Sequence, residues 1–499
     1  MPAIMGGGVA LADLDSDGDL DIYLVQGGTA LQSKPGDAQG NRLFLNQGNG
    51  SFIEAPGANG ADDRGYGMGA AAADYDGDGD TDIYVTNVGA NVLYRNDGKG
   101  TFSDVSGAAG VDEAGWGTAA SFADLDNDGD LDLVVVNYIA WSVTVEKRCL
   151  AKGPCTYAIP SYFDAPAADH IFRNNGDGTF TDVSEKAGLN LVFGNGLGVA
   201  VADFDGDGQA DIFVANDMMH NQLWHNRGGL LFNDQAMSRG TAVDENGAVK
   251  AGMGVATGDV DDDGDFDLLV VNLEAQTDTF LRNDGGYFTD TTAAAGLSTV
   301  SRRYTRFGVV LADFDNDGVL DVYEANGGIL PSTSATDDDV FAEPNALFRG
   351  TREGRFEPVD PPGGTMNALV HTSRGVAVGD LDDDGGLDLV VVNRDAPVYL
   401  LKNRVAGRGN WVRFRVLTAA GSDAVDAVVS AGIADRRVYR RVQPAGSYLA
   451  SSDPRVHYGL GDTASVTDVR VRWPDGNVES FGDFQAGQTV ELRRGEGGS

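Results

Sequence analysis

Basic residues are scarce: 36 Lys+Arg stand against 76 Asp+Glu, a formal net charge of −40 over 499 residues. That balance argues against nucleic acid or an anionic membrane as a partner, since both need a basic surface. No apolar run approaches the ~20 residues of a membrane-spanning helix. The opening MPAIMGGGVALADLD lacks the basic and apolar regions of an export signal. Cysteine is limited to Cys149 and Cys155, six apart in KRCLAKGPC. No second Cys or His pair accompanies them, which argues against zinc. Their spacing suits a small disulfide within a loop, a bond that belongs outside the cytosol. Disorder, the simplest reading of an acidic chain, is excluded by what is there. Hydrophobic residues make up 42% of the chain, with 22 Phe, 15 Tyr and 5 Trp, enough for a large core. Glycine, at 70 residues, is about twice its usual share and marks many turns.

Self-comparison explains the glycines. The pattern D-x-D-x-D-G-x-x-D occurs seven times, starting at Asp13, Asp74, Asp124, Asp203, Asp259, Asp313 and Asp380. A small-residue segment precedes each copy (GGGVALAD, GLGVAVAD) and an alternating, β-rich one follows (LDIYLVQ, LDLVVVN). Most copies continue with a third strand such as NVLYRN, a turn such as NDGKG, and a fourth strand such as GTFSDVS. Each unit is a four-stranded meander, and seven in series predict an all-β, seven-bladed β-propeller over 1–404. The seventh unit shows no fourth strand. A propeller commonly completes such a unit from its N-terminus, so the chain is expected to continue upstream with a further strand and an export signal. Otherwise the seventh unit stays three-stranded or is completed by 410–417. Long insertions at 27–40, 138–168 and 327–344 all fall between second and third strands, on the face opposite the aspartate loops. The second holds Tyr138, Trp141, Tyr157, Tyr162 and Phe163, and the third Asp337, Asp338 and Asp339. Aromatic residues on long loops of a rigid scaffold suit partner contact, or else pack the channel.

Oxygen ligands at positions 1, 3, 5 and 9 of a tight loop are calcium chemistry. The candidate ligands are Asp13, Asp15, Asp17 and Asp21; Asp74, Asp76, Asp78 and Asp82; Asp124, Asp126, Asp128 and Asp132; Asp203, Asp205, Asp207 and Asp211; Asp259, Asp261, Asp263 and Asp267; Asp313, Asp315, Asp317 and Asp321; and Asp380, Asp382, Asp384 and Asp388. Position 6 is Gly in every copy. An EF-hand is excluded because the flanks are strands and position 12 is Glu only at Glu324. Four carboxylates crowded into one loop repel without a cation, so the calcium is expected to be structural. Weak extracellular-type sites would stand empty in cytosol. His220 and His225, beside Met218 and Met219, offer donors that copper accepts. His225, however, fills a position held by Arg95, Arg173 and Arg282 in other units, so both are read as ordinary repeat residues.

After the seventh unit, WVRFRVL and DVRVRW alternate as strands of a small β module over 405–499. The strand–DxDxDG–strand unit resembles the FG-GAP/VCBS repeat of integrin α-subunits and many secreted bacterial proteins. Gly446, Tyr448, Ser452, His457, Gly459, Leu460, Gly461, Trp473, Pro474 and Gly476 resemble the hallmarks of the ASPIC/UnbV module. Trp473–Gly476 is read as a strand ending in a turn. The module's usual S-N-R-x-x-x-G-A segment is replaced by Ser422-Asp423-Ala424-Val425-Asp426-Ala427. The combination resembles the cartilage acidic protein family. That resemblance implies a calcium-stabilised, extracellular, periplasmic or cell-surface protein that is not an enzyme and contacts protein or glycan. A second implication is an enzyme: similar propellers serve as polysaccharide lyases, and UnbV-type proteins occur in enediyne biosynthesis. No nucleophile–His–acid set or P-loop supports it.

Overall fold

The computed structural model describes residues 2–27, 39–145, 160–163, 165–331, 334–336 and 338–498. Cys149, Cys155, Tyr157 and Asp337 lie outside the described residues, as does most of the first insertion. Among the described residues there are seven antiparallel meanders. The first comprises Val9–Ala12, Asp21–Leu24, Arg42–Asn46 and Phe52–Ala55. The fourth comprises Gly196–Ala202, Asp211–Asn216, Gln222–Asn226 and Phe232–Asp234. The seventh has three strands, Ser373–Gly379, Asp388–Asn393 and Tyr399–Leu401. The strand Asn410–Leu417 does not complete it; it pairs instead with Val456–Gly461 and Gln488–Arg493.

The small-residue strands stand innermost, and their glycines explain how closely the meanders approach. Five residues before the first aspartate, six units carry Gly and the third carries Ala119. A Cβ on Gly198 would collide with the Met253 carbonyl of the next unit, and one on Gly254 with that of Phe307. The series closes on itself, because a Cβ on Gly375 would strike the carbonyl of Gly7. Between neighbouring sheets the buried aliphatic and aromatic residues interdigitate. One such cluster holds Val134, Ile171, Val199, Ile212, Val214 and Trp224 from the third and fourth units.

The ring is also stitched by side chains. In the first five units the asparagine near the end of the third strand donates both Nδ2 protons to carbonyls, one in its own unit and one in a neighbouring unit, and Asn403 of the seventh reaches Phe314 O of the sixth at 2.8 Å. Asn226 reaches Leu125 O at 2.8 Å and Ala210 O at 3.0 Å. Asn46 closes the ring by reaching Leu381 O of the seventh unit at 2.9 Å. The sixth unit has Gly350 here and makes no such bridge.

The C-terminal strands form two sheets, Val456–Gly461/Asn410–Leu417/Gln488–Arg493 and Arg436–Arg441/Val428–Ile433/Ser465–Arg472/Val478–Gln485. They share one core around Val412, Phe414, Val429, Tyr458, Val469 and Trp473. Trp473 is buried, and a tight turn through Gly476 follows, as the sequence predicted.

Candidate metal loops and their cap

Each aspartate loop is wound by its own carboxylates. At position 1, Asp13 Oδ1 accepts from Asp17 N at 3.1 Å and Oδ2 from Gly18 N at 3.1 Å. At position 5, Asp17 Oδ1 accepts from Asp19 N at 3.0 Å. Gly18 has φ +96°, a conformation that costs other residues strain. The pattern repeats at Asp259, Asp263 and Gly264. Position 7 therefore contributes backbone rather than side chain, which is why Asp19, Gln209 and Val319 all fit there.

Positions 1, 3 and 5 converge. Carboxylate oxygens of Asp13, Asp15 and Asp17 lie within 4.8 Å of one another, as do those of Asp74/Asp76/Asp78, Asp124/Asp126/Asp128 and Asp259/Asp261/Asp263. In the fourth loop the corresponding group is Asp205, Asp207 and His225, so His225 stands at the acidic cluster rather than apart from it. Position 3 carries the sign of an absent partner: Asp15 Oδ1, Asp76 Oδ1, Asp126 Oδ1 and Asp382 Oδ1 are buried without a hydrogen bond. An all-oxygen set with such orphaned atoms fits a hard cation.

Position 9 has a second duty. Asp21 accepts Leu14 N at 3.0 Å and Asn46 N at 2.8 Å, tying the loop to the third strand. Asp82, Asp132, Asp267, Asp321 and Asp388 make the same two bonds. Burial without a counter-ion raises these carboxyls, Asp21 to about 8, Asp82 to about 9 and Asp267 to about 8, although their backbone donors pull the other way. A divalent cation would supply the missing positive charge.

The loop face is covered. Residues 405–499 hold 12 Arg against 11 acidic residues, leaving 24 basic and 65 acidic residues to the first 404. The nearly neutral C-terminal region lays its arginines on the acidic ring. Arg413 meets Asp380 at 2.9 Å, Arg472 meets Asp203 at 3.2 Å and Arg436 meets Asp262 at 2.8 Å. Ser422 Oγ donates to Asp74 at 2.5 Å, so the segment that departs from the usual module pattern is itself a contact. His457 Nε2 lies 2.8 Å from Asn316 Oδ1, and burial and nearby arginines hold its imidazole down to about 3, neutral.

The G-x-Y-x-S segment enters the ring. Ala450–Ser451 pairs in parallel with Val9–Ala12 of the first unit. Ser447 exchanges backbone bonds with Val255 of the fifth unit at 2.7 and 2.9 Å, and its Oγ accepts from Val309 N of the sixth at 3.1 Å. Ser452 Oγ accepts from Val378 N of the seventh at 3.2 Å. Sequence reasoning located these residues without their partners. The signal was the alternation of Arg413 and Arg415 in WVRFRV, which places both on one face of that strand.

The opposite face closes the channel with apolar groups. Ile4, Met5, Met68, Trp116, Tyr138 and Tyr448 are buried together. Tyr138 is 1% exposed, its hydroxyl 2.7 Å from Asp217, so it packs the channel and is not a surface residue. Trp141 and Phe163 pack beside it. Tyr162 is exposed.

The repeats and cap together define the class. The model for the FG-GAP-like repeat matches residues 13–85, 74–135, 161–214, 203–270 and 259–324, and that for ASPIC and UnbV matches 418–499. The chain belongs to the FG-GAP-like repeat family and ends in an ASPIC/UnbV module. Among named relatives it is 32% identical to cartilage acidic protein 1 of Homo sapiens over 308 residues, 60% of this chain and 44% of that protein. It is 33% identical to the Xenopus tropicalis protein of the same name over 311 residues, again 60% and 44%. The match thus spans less than half the length of these relatives. An Agrocybe aegerita lectin solved for recognition of terminal N-acetylglucosamine overlays at TM-score 0.41 with 18% identity, over 79% of this chain and 86% of that one. Rhamnogalacturonan lyase YesW overlays at 0.40 with 14% identity, over 79% and 71%. Overlays at that level carry no argument.

Proposed function

We propose that this protein is a calcium-stabilised binding protein built on a seven-bladed β-propeller, working outside the cytosol. Residues 1–404 form the propeller, and 405–499 form a module that seals its calcium face. The aspartate loops supply the calcium sites, and no reaction is assigned. The ligand is protein or glycan, bound on the face opposite the loops.

The observation that carries this reading is the asymmetry of the two faces. The loop face is occupied by the chain's own C-terminal region. The other face presents exposed apolar side chains on its connections: Tyr162, Leu191, Val192, Phe193, Met218, Leu330 and Val340. A set of exposed apolar residues on one side of a protein suits a partner surface. Five of them lie near the second insertion, where Ala167 bridges to Gly194 and Asn195 bonds Asp217 O. An enzyme reading would need an accessible polar constellation that the repeat does not demand. Asp278, Arg306 and Glu324 form such a set, but each is at most 1% exposed.

The test substitutes the exposed Leu191, Phe193 and Met218 by Ser, which leaves the buried Tyr138 and its neighbours in place. Partners are then compared by pull-down and glycan array, with and without calcium. The reading predicts unchanged calcium-dependent melting with loss of a partner. Retention of every partner, or a ligand mapped to the aspartate loops, would overturn it.

A further inference from the structure

The seven aspartate loops share one sequence pattern, but the cations around them differ. The first two loops have no arginine or lysine in ion-pair contact with the carboxylates at positions 1, 3 and 5 among the described residues. The third, fifth and sixth each receive one arginine from the third strand: Arg173, Arg282 and Arg349, whose side chains are 43%, 54% and 57% exposed. An exposed side chain of that length swings into solvent at little cost when an ion arrives.

The fourth loop holds two, Arg239 (side chain 11% exposed) at Asp205 and Arg472 at Asp203, and the seventh goes further. Each of its carboxylates at positions 1, 3 and 5 already meets a cation through one oxygen, although Asp382 Oδ1 keeps no hydrogen bond. Asp380 is 2.9 Å from Arg413, Asp382 is 3.2 Å from Lys402, and Asp384 is 2.9 Å from Arg408 and 3.0 Å from Arg404. Arg413 cannot withdraw. Its side chain is 1% exposed and that of Asp380 0%. Its Nε and Nη2 also donate to Thr489 Oγ1 at 3.1 and 2.9 Å, and Nη2 pairs with Asp383. A divalent ion at positions 1, 3 and 5 would sit beside a trapped guanidinium and compete for its only buried counter-charge. Breaking a buried pair that way leaves an uncompensated charge, a large penalty.

We propose that the seventh loop takes no calcium and serves as the docking socket of the C-terminal module, with Arg413, Lys402, Arg404 and Arg408 supplying the positive charge that an ion would supply in the first two loops. The inference rests on the calcium reading of those loops. It assigns the module a metal-independent attachment to the ring.

The test counts calcium bound by the full chain, using native mass spectrometry and equilibrium dialysis. Wild type is compared with Asp76→Asn and Asp382→Asn, equivalent position-3 changes in the second and seventh loops. Asp76→Asn is expected to lose one equivalent of calcium and to narrow the gap in melting temperature between calcium and EDTA. Asp382→Asn is expected to keep the wild-type count and gap. Loss of one equivalent in Asp382→Asn would overturn the proposal while leaving the calcium reading intact. Absence of bound calcium in wild type, or an unchanged count in Asp76→Asn, would overturn the calcium reading of the second loop and this inference with it.

Discussion

Asn226→Ala removes one inter-unit stitch and tests whether the ring is held by these side chains as well as by its apolar clusters. Asn226 is fully buried. Its Nδ2 bonds Leu125 O at 2.8 Å and Ala210 O at 3.0 Å, and its Oδ1 accepts Gly228 N at 3.0 Å. Its backbone N–H to Asp211 survives the change. Truncation thus leaves two carbonyls and one N–H without their partner. A buried group left unsatisfied costs ~1–3 kcal/mol, at the low end for carbonyls that keep a second lone pair. The sum is about 3–4 kcal/mol. If the ring of roughly 400 residues unfolds cooperatively at ~2.1 cal/mol/K per residue, the melting temperature falls by about 4 °C. The assay is thermal unfolding in millimolar calcium, followed by tryptophan fluorescence, because Trp224 lies on the same strand. The control is Ile53→Ala, an exposed position on an outer strand, expected to stay within ~0.5 kcal/mol of wild type. A shift for Asn226→Ala no larger than the control would refute the stitching argument.

Other predictions follow from the same geometry. Gly254→Ala should expand or break the contact between the fifth and sixth units, because the new methyl meets the Phe307 carbonyl and not a yielding side chain. The expected loss is ~1–3 kcal/mol or more, read by urea denaturation. Asp169→Asn should stabilise the protein at pH 8. Burial raises the Asp169 carboxyl to about 7, while its bond to Asn137 N, 2.9 Å, is served by Asn at Asn41, Asn91, Asn221 and Asn345 elsewhere. Its folded pKa exceeds the unfolded value near 3.9, so the folded state holds the extra proton. The wild type therefore loses stability as pH rises from ~4 through ~7, and the difference from Asn grows to ~2–4 kcal/mol, measured as denaturation midpoint against pH.

The repeat made the meander legible because each strand kept its period and each loop its glycine. The three-stranded seventh unit was legible too, since no GTF-like segment follows Leu401. The spacing of insertions correctly separated two faces. What the pattern could not convey was relations between units. Asn46 and Asn226 look like turn residues until the neighbouring carbonyl is in place. Arg413 and Arg472 belong to segments read only as alternating strands, whereas they meet aspartates 33 and 269 positions away. Asp21 and its equivalents looked like plain ligands, yet their oxygens also bind two backbone amides, a duty invisible in spacing. Tyr138, at the start of a long loop, read equally as a partner contact or as packing for the channel. Its burial follows from a ring whose axis needs filling.

The central claim is that calcium in the aspartate loops holds the ring together. With dissociation constants of ~10⁻⁴ M, ~1 mM free calcium contributes about 1.4 kcal/mol per loop, or about 8 kcal/mol over six loops. Spread over a cooperative ring this corresponds to roughly 10 °C. The direct measurement is differential scanning calorimetry of the full chain in 1 mM free calcium and in excess EDTA. The account predicts a transition lower by about 10 °C in EDTA, restored by calcium. Superimposable transitions in the two buffers would contradict it.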